Sequence, residues 1–288
     1  VDAMLLCCGL VTLDVTQVVE AVPGPDQKVV ADGLEVTFGG PAANAAATAV
    51  ALGVPTRLVT AIGTGAVADL VRAELRGADV AAVDLAEGLD ARPPVSTVLV
   101  TRSTGQRAVA SVNAVGMPGL TAPDRAVLDG VSALLVDGHH LGAAVPLAAG
   151  ARRRGIPVVL DGGSWKPGLG ELLAQVDHAV LSADFALPDP DPDGDVLDDV
   201  LVRWPVVSAA RSAGAGPVRL RGREGPPVVV AVDTVREVVD TLGAGDVLHG
   251  AVAAGLARGS GIADALRAGV EVATRSVRYP GARGWTRA

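Results

Sequence analysis

Residues 243–246 read Gly-Ala-Gly-Asp, and the chain passes from them straight into the alanine-rich run VLHGAVAAGLARG. Two glycines leave a turn without side chains, so its backbone N–H groups can face a ligand. A helix beginning near Ala244 would add its positive dipole end. Gly243, Ala244 and Gly245 thus form a candidate anion hole, suited to a phosphate or to the charge that develops in phosphoryl transfer. Asp246 stands beside it. A carboxylate there can take the proton from a hydroxyl as that hydroxyl attacks phosphorus. Transfer between ATP and an alcohol asks for little more than positioning, a base and charge stabilisation. The plain alternative is that Asp246 only complements the helix dipole. The GxxxxGK[ST] pattern of a P-loop NTPase is absent from the sequence.

The elements that must hold this loop follow from an alternation of apolar runs, glycine turns and helical spacings. MLLCCGLV, TRLVTAIG (56–63), ALLVDG (133–138), PVVLDGG (157–163) and HAVLS (178–182) read as buried strands. AANAAATAVALG (42–53) reads as a helix stopped by Gly53. AVADLVRAELRG (66–77) has apolar residues at 67, 70, 71 and 75 and ends at Gly77. Helices between strands predict βαβ units and a mainly parallel sheet. Two segments break the rhythm, residues 15–38 and 95–112, the second a hairpin around Ser103–Gln106. They predict a small separate sheet placed as a lid over the ligand crevice. The Pro/Asp stretch 187–195 reads as a solvated connector.

Composition bounds the rest. The chain has 288 residues, of which 49% are hydrophobic but only 2% aromatic, so Ala, Val and Leu must build the core. That length suits one α/β domain, 1–288, carrying the small lid. The formal net charge is −8 and no basic stripe is present, which argues against nucleic acid. Arg152–Arg154 read as a solvated helix end. Cys7 and Cys8 are the only cysteines, and neighbours in a strand point to opposite faces, so they share neither a metal nor an easy disulfide. Two buried thiols fit a reducing compartment. No apolar run reads as a membrane span, and a soluble cytoplasmic protein is expected.

VVDTLGAGDVLHGA closely resembles the C-terminal signature of the ribokinase-like (phosphofructokinase B-type) carbohydrate kinases, a D-T-x-G-A-G-D pattern followed by a helix. FGGPAANAAATAVALG (38–53) resembles that family's N-terminal signature, a glycine pair followed by a helix with an early Asn. The two lie in the family's order and spacing, and the resemblance covers essentially the whole chain. It implies a three-layer α/β/α fold with a mainly parallel central sheet and a β-sheet lid. CCGLVTLDV, GAVADLVRAELRGADV and VVDTLGAGD look most like ketohexokinase. GGPAANAA, VVLDGGSWKP and VRYPGARG look more like bacterial relatives, including sulfofructose kinase.

By that resemblance Asp246 is the base and Gly243–Gly245 the anion hole. Asp14, Gly39, Gly40 and Asn44 hold the sugar. A carboxylate grips vicinal hydroxyls because it accepts two hydrogen bonds, and an Asn among alanines is otherwise an odd choice inside a helix. Pro41 replaces a further Asn of ketohexokinase-like sequences. Gly214 falls at the nucleotide-side turn, and the adenine pocket comes from residues 273–284, near Ala273 to Gly281. Lys166 is either a phosphate contact or a surface lysine. Lys28, one of two lysines in the chain, matches an anion-holding lysine of sulfofructose kinase. Ser111 and His139 stand where its partners are Asn and Arg, so the clamp looks incomplete. His139 and His140 either face the substrate or are structural. The family's N-x-x-E motif is missing: LSADFAL carries Ser182 and Phe185 instead. Mg²⁺ would then be held mainly by the nucleotide phosphates and water. A monovalent cation stays open.

The implied activity is transfer of the γ-phosphoryl group of ATP to a small sugar, ketohexose favoured, by a homodimer paired through the lid. A nucleoside kinase is the first alternative. It is disfavoured because Phe38 is the lid's only aromatic residue. A sugar- or nucleotide-binding regulator without turnover is the second. The missing N-x-x-E favours it weakly, and an intact GAGD argues against it.

Overall fold

The apolar runs become strands covered on both faces. In the first of them, Leu5–Cys8, all four residues are buried. Leu5 and Cys7 join one core and Leu6 and Cys8 the other, so the two free thiols do point to opposite faces. The computed structural model describes residues 3–113, 117, 120–192 and 194–287. In chain order its strands are β1 (Leu5–Cys8), β2 (Thr12–Val19), β3 (Gly33–Gly39), β4 (Thr56–Thr60), β5 (Ala81–Asp84), β6 (Val95–Thr101) and β7 (Arg107–Ser111). Then come β8 (Ala133–Val136), β9 (Val158–Gly162), β10 (His178–Leu181), β11 (Ser208–Ala213), β12 (Gly216–Gly222) and β13 (Val228–Val230). The helices are α1 (Pro41–Ala51), α2 (Ala66–Gly77), α3 (Leu141–Arg153), α4 (Leu169–Leu173), α5 (Val196–Arg203), α6 (Ala244–Ala257) and α7 (Ile262–Ser276).

Nine strands form the central sheet in the order β13-β12-β11-β10-β9-β8-β1-β4-β5. Pairing is parallel from β5 through β11, and β12 and β13 add antiparallel at one edge. Helices α1, α2, α6 and α7 contribute to the core on one face, and α3, α4 and α5 to the core on the other. This is the three-layer α/β/α architecture expected from the sequence. Strand order reverses around β1, which lies between β8 and β4. The crevice beyond the carboxyl ends of β1 and β8 is therefore the natural place for a ligand. Of the stretch 187–195, residue 193 lies outside the described residues.

The second sheet has the order β3-β2-β6-β7, with β2 and β6 parallel and the other pairs antiparallel. It begins at Thr12, a little before the residue 15 expected from the sequence. Asp14 is thus a residue of this second sheet, the one expected to act as a lid. The expected hairpin joins β6 to β7.

The floor is set by how closely two helices approach. α6 packs on α1 at Gly250, where a Cβ would lie 2.5 Å from the Ala45 carbonyl oxygen and 2.8 Å from its Cα. Only a glycine lets the two backbones meet at this distance. That contact brings the first turns of α1 and α6 side by side.

Candidate active site

Gly243 precedes α6 in the left-handed conformation, with φ 72°. Its Cβ would fall 2.3 Å from that of Ala282, so both the turn and the packing exclude a side chain. Gly245, by contrast, faces open space. Helix geometry leaves first-turn amides without intrahelical acceptors. Here the Ala244 N–H is 3.3 Å from the Thr241 carbonyl, while those of Gly245 and Asp246 have no partner among the described residues. Two free amides at a helix N-terminus are an anion-binding arrangement.

Asp246, in that turn, lines a cavity of about 950 Å³ together with Gly243, Asn44 and Asp14. Its Oδ2 accepts from Asn44 Nδ2 at 2.8 Å. Burial, followed by the negative charge of Asp161, pushes the Asp246 carboxyl up to about 7, against the Asn44 hydrogen bond, which lowers it. A carboxyl poised there suits proton abstraction at neutral pH. His249, one turn further along α6, is buried. Its Nδ1 lies 2.7 Å from the Gly245 carbonyl and its Nε2 3.0 Å from that of Val180. Asp161 Oδ2 lies 3.3 Å from the same Nδ1. The ring braces the glycine turn from beneath. The sequence reading passed over it, and a histidine inside an apolar helix was the available signal.

Asp14 and Asn44 are brought to the cavity as expected. Asp14 Oδ1 accepts from Thr12 Oγ1 at 2.6 Å. Gly40 lines the cavity and Gly39 does not. Packing requires a glycine at both positions. A Cβ on Gly39 would strike the Asp14 carboxylate, and one on Gly40, at φ 96°, would strike the Leu10 carbonyl. Asp137, not singled out in the sequence, ties this corner together. Its carboxylate accepts from the N–H groups of Leu10, Ala42 and His139 at 2.8, 3.2 and 2.9 Å.

Other expected residues sit elsewhere. Lys28 is exposed in the β2–β3 connection and Gly214 in the open turn between β11 and β12; neither lines the cavity. His139, Lys166 and Ala273 are also outside its lining. His139 is held below the ordinary imidazole range, chiefly by burial. Lys166 Nζ reaches the Ser164 carbonyl at 3.4 Å, and Ala273 packs against the core. Gly281 does line the cavity, donating its N–H to Asp240 Oδ2 at 2.9 Å. Ser111 lines it too, bonded to Ser96 Oγ. The stretch 273–284, linked to adenine by resemblance, includes Arg283. That guanidinium lies 3.5 Å over the Phe38 ring and bonds Asn44. Among the described residues no group of three or more His, Cys, Asp or Glu is placed to hold a metal ion.

The profile described as "pfkB family carbohydrate kinase" matches residues 2–184 and 219–287. The chain belongs to this family. Membership makes it an enzyme of the phosphotransferase class, with an alcohol group as acceptor. The chain is 24% identical to a ribokinase of Arabidopsis thaliana over 300 aligned positions, covering 96% of this chain and 77% of the relative. A putative ribokinase from Agrobacterium tumefaciens superposes with TM-score 0.84 at 23% identity, over 99% of this chain and 94% of that one. The Arabidopsis thaliana ribokinase complexed with ribose and ATP superposes with TM-score 0.76 at 20% identity, over 98% and 94%. These likenesses carry the fold. None of them singles out ketohexokinase or sulfofructose kinase within the family. No helix among the described residues is long and apolar enough to cross a membrane.

Proposed function

We propose that the protein transfers the γ-phosphoryl group of ATP to a hydroxyl of a small sugar, with a ketohexose the favoured acceptor. The observation that carries this reading is Asp246. Its carboxyl, raised to about 7, stands beside two unpaired helix amides and opens onto a cavity that Asp14 and Asn44 also line. Asp14 and Asn44 hold the acceptor hydroxyls. Asp246 takes the proton of the attacking one. The amides of the Gly243–Gly245 turn receive the charge that develops on the phosphate oxygens. Mg²⁺ enters with the nucleotide phosphates as part of the substrate. The ketohexose preference rests on the resemblance of CCGLVTLDV and VVDTLGAGD to ketohexokinase.

The lid excludes water, which protects ATP from hydrolysis. Arg107 of β7 supports a closed lid, since its Nη1 donates to Thr241 Oγ1 at 3.3 Å. The lid also exposes Leu34, Val109 and Val112, which are 68%, 54% and 59% accessible. That apolar surface supports pairing of two lids in a homodimer, read out by light scattering. A cytoplasmic setting fits the two free buried thiols. The nucleoside-kinase reading loses ground because the Phe38 ring, the lid's one aromatic face, is covered by Arg283.

The test is ADP formation with Mg²⁺–ATP across ketoses, aldoses, sugar acids, sulfosugars and nucleosides, for wild type and Asp246→Asn. Turnover with one acceptor and a loss of about 10²-fold or more in the variant is expected. Acceptor binding without ADP formation across the panel would favour the non-catalytic regulator instead.

A further inference from the structure

We propose that Arg283 is a positioning residue for the base: it holds the Asn44 amide so that its N–H is delivered to Asp246. This rests on Asp246 being the base. An Asn side chain has an acceptor end and a donor end. Arg283 can only donate, and its Nη1 takes the Asn44 Oδ1 at 3.1 Å. The NH₂ end is thereby left for the Asp246 carboxylate, which it meets at 2.8 Å. The three groups form one chain, guanidinium to amide to carboxylate, from the segment after α7 through α1 to α6. A cation at its head polarises the amide and strengthens its donation to the carboxylate.

The guanidinium is itself fixed on several sides. Its Nη1 also donates to the Phe38 carbonyl at 2.7 Å, and its Nη2 to Thr37 Oγ1. Thr37 Oγ1 in turn donates a hydrogen bond to Glu74 Oε2 at 2.8 Å. The plane lies over the Phe38 ring. Behind it, the buried Trp285 closes the segment by donating Nε1–H to the Ala282 carbonyl at 3.0 Å. The hydrogen bonds that Arg283 donates to Phe38, Asn44 and Thr37 all go to neutral oxygens. The charged and titratable groups facing the chain are Glu74, Glu35, Asp14 and Arg287 on the Arg283 side. Asp161, His249 and Asp137 face it on the Asp246 side.

The experiment reads the Asp246 carboxyl directly, by carbon NMR of Asp-labelled protein through a pH titration, with Asp246→Asn to assign the signal. It needs no turnover, so its outcome stands apart from whether a sugar is phosphorylated. Arg283→Ala and Arg283→Met are compared in two backgrounds, native and Asn44→Ala. Met keeps an apolar stem on Phe38 and so covers the case in which the Ala variant fails to fold. The expected result is an upward shift of the Asp246 midpoint by about half a pH unit or more in the native background, and none in Asn44→Ala. Where an acceptor turns over, the acid limb of kcat/KM moves up with it. No shift in the native background overturns the proposal. So does an equal shift in both backgrounds, because the charge of Arg283 would then act on Asp246 without the amide.

Discussion

The floor of the cavity and its lid are built on opposite rules. The floor is two helices made of small residues and pressed together until backbone meets side chain. At Gly250 there is no room for even a methyl group. Every residue of α1 from Ala42 to Ala49 is buried. The lid is a four-stranded sheet with β3 and β7 at its edges, and it exposes Leu34 and Val109. β7 is exposed at every residue. Proton transfer needs geometry held to fractions of an ångström, and close-packed backbones provide it. A cover must open and close, which needs few buried contacts. The lid adds Asp14 to the cavity, whereas Asp246 and the amides at the head of α6 belong to the floor.

The sharpest test of this contrast is Asp246→Asn, with an expected loss of about 10²-fold in kcat. The same variant reports on the floor's electrostatics. Because burial raises the Asp246 carboxyl to about 7, the folded state binds a proton that the unfolded state gives up from about pH 4. This group therefore contributes stability that is full below pH 4 and lost as pH rises toward 7. The Asn variant should lose that slope in a series of thermal melts. In wild type the same titration should make kcat/KM fall as pH drops below about 7.

Gly250→Leu probes the floor's packing. Overfilling the α1–α6 contact should cost about 3 kcal/mol by denaturant unfolding and should spread Asn44 from Asp246. Retention of full stability would mean the helices can separate freely. Arg107→Ala should act on the lid alone, raising ADP release without acceptor relative to sugar phosphorylation by about tenfold at most. The smallest effect belongs to Leu34→Thr. Its stability should stay within about 0.5 kcal/mol of wild type, while light scattering reports any loss of pairing between lids. A large drop in stability instead would place Leu34 in a folded core that the monomer does not show.

Much of this molecule was legible before its coordinates. Helix α2 spans residues 66–77 as its apolar spacing predicts, and α6 begins at Ala244. The parallel sheet follows from the alternation of strand and helix. The facing of Cys7 and Cys8 follows from the two-residue period of a strand. Asn44 and Asp246 were visible as polar residues among alanines or at a glycine turn, and Asp14 through the family resemblance. Local pattern is enough for such features because helix period, strand period and turn chemistry each act within a few residues.

What lies across the fold was not legible. Arg283 is 239 residues from Asn44, and nothing in VRYPGARG says that its guanidinium returns to α1. His249 looks like one more helix residue until β9 and β10 place Asp161 and the Val180 carbonyl against it. The resemblance puts Gly39 with the sugar-holding residues, and only the fold shows that a Cβ there would strike the Asp14 carboxylate. Lys28 stands out by rarity and still lies away from the cavity. The sequence by itself determined the elements and the sheet class, and singled out the GAGD turn, because those depend on neighbours along the chain. Only the tertiary structure decided which donors and charges surround Asp246, because desolvation and hydrogen bonding are set by whatever the fold brings within a few ångströms.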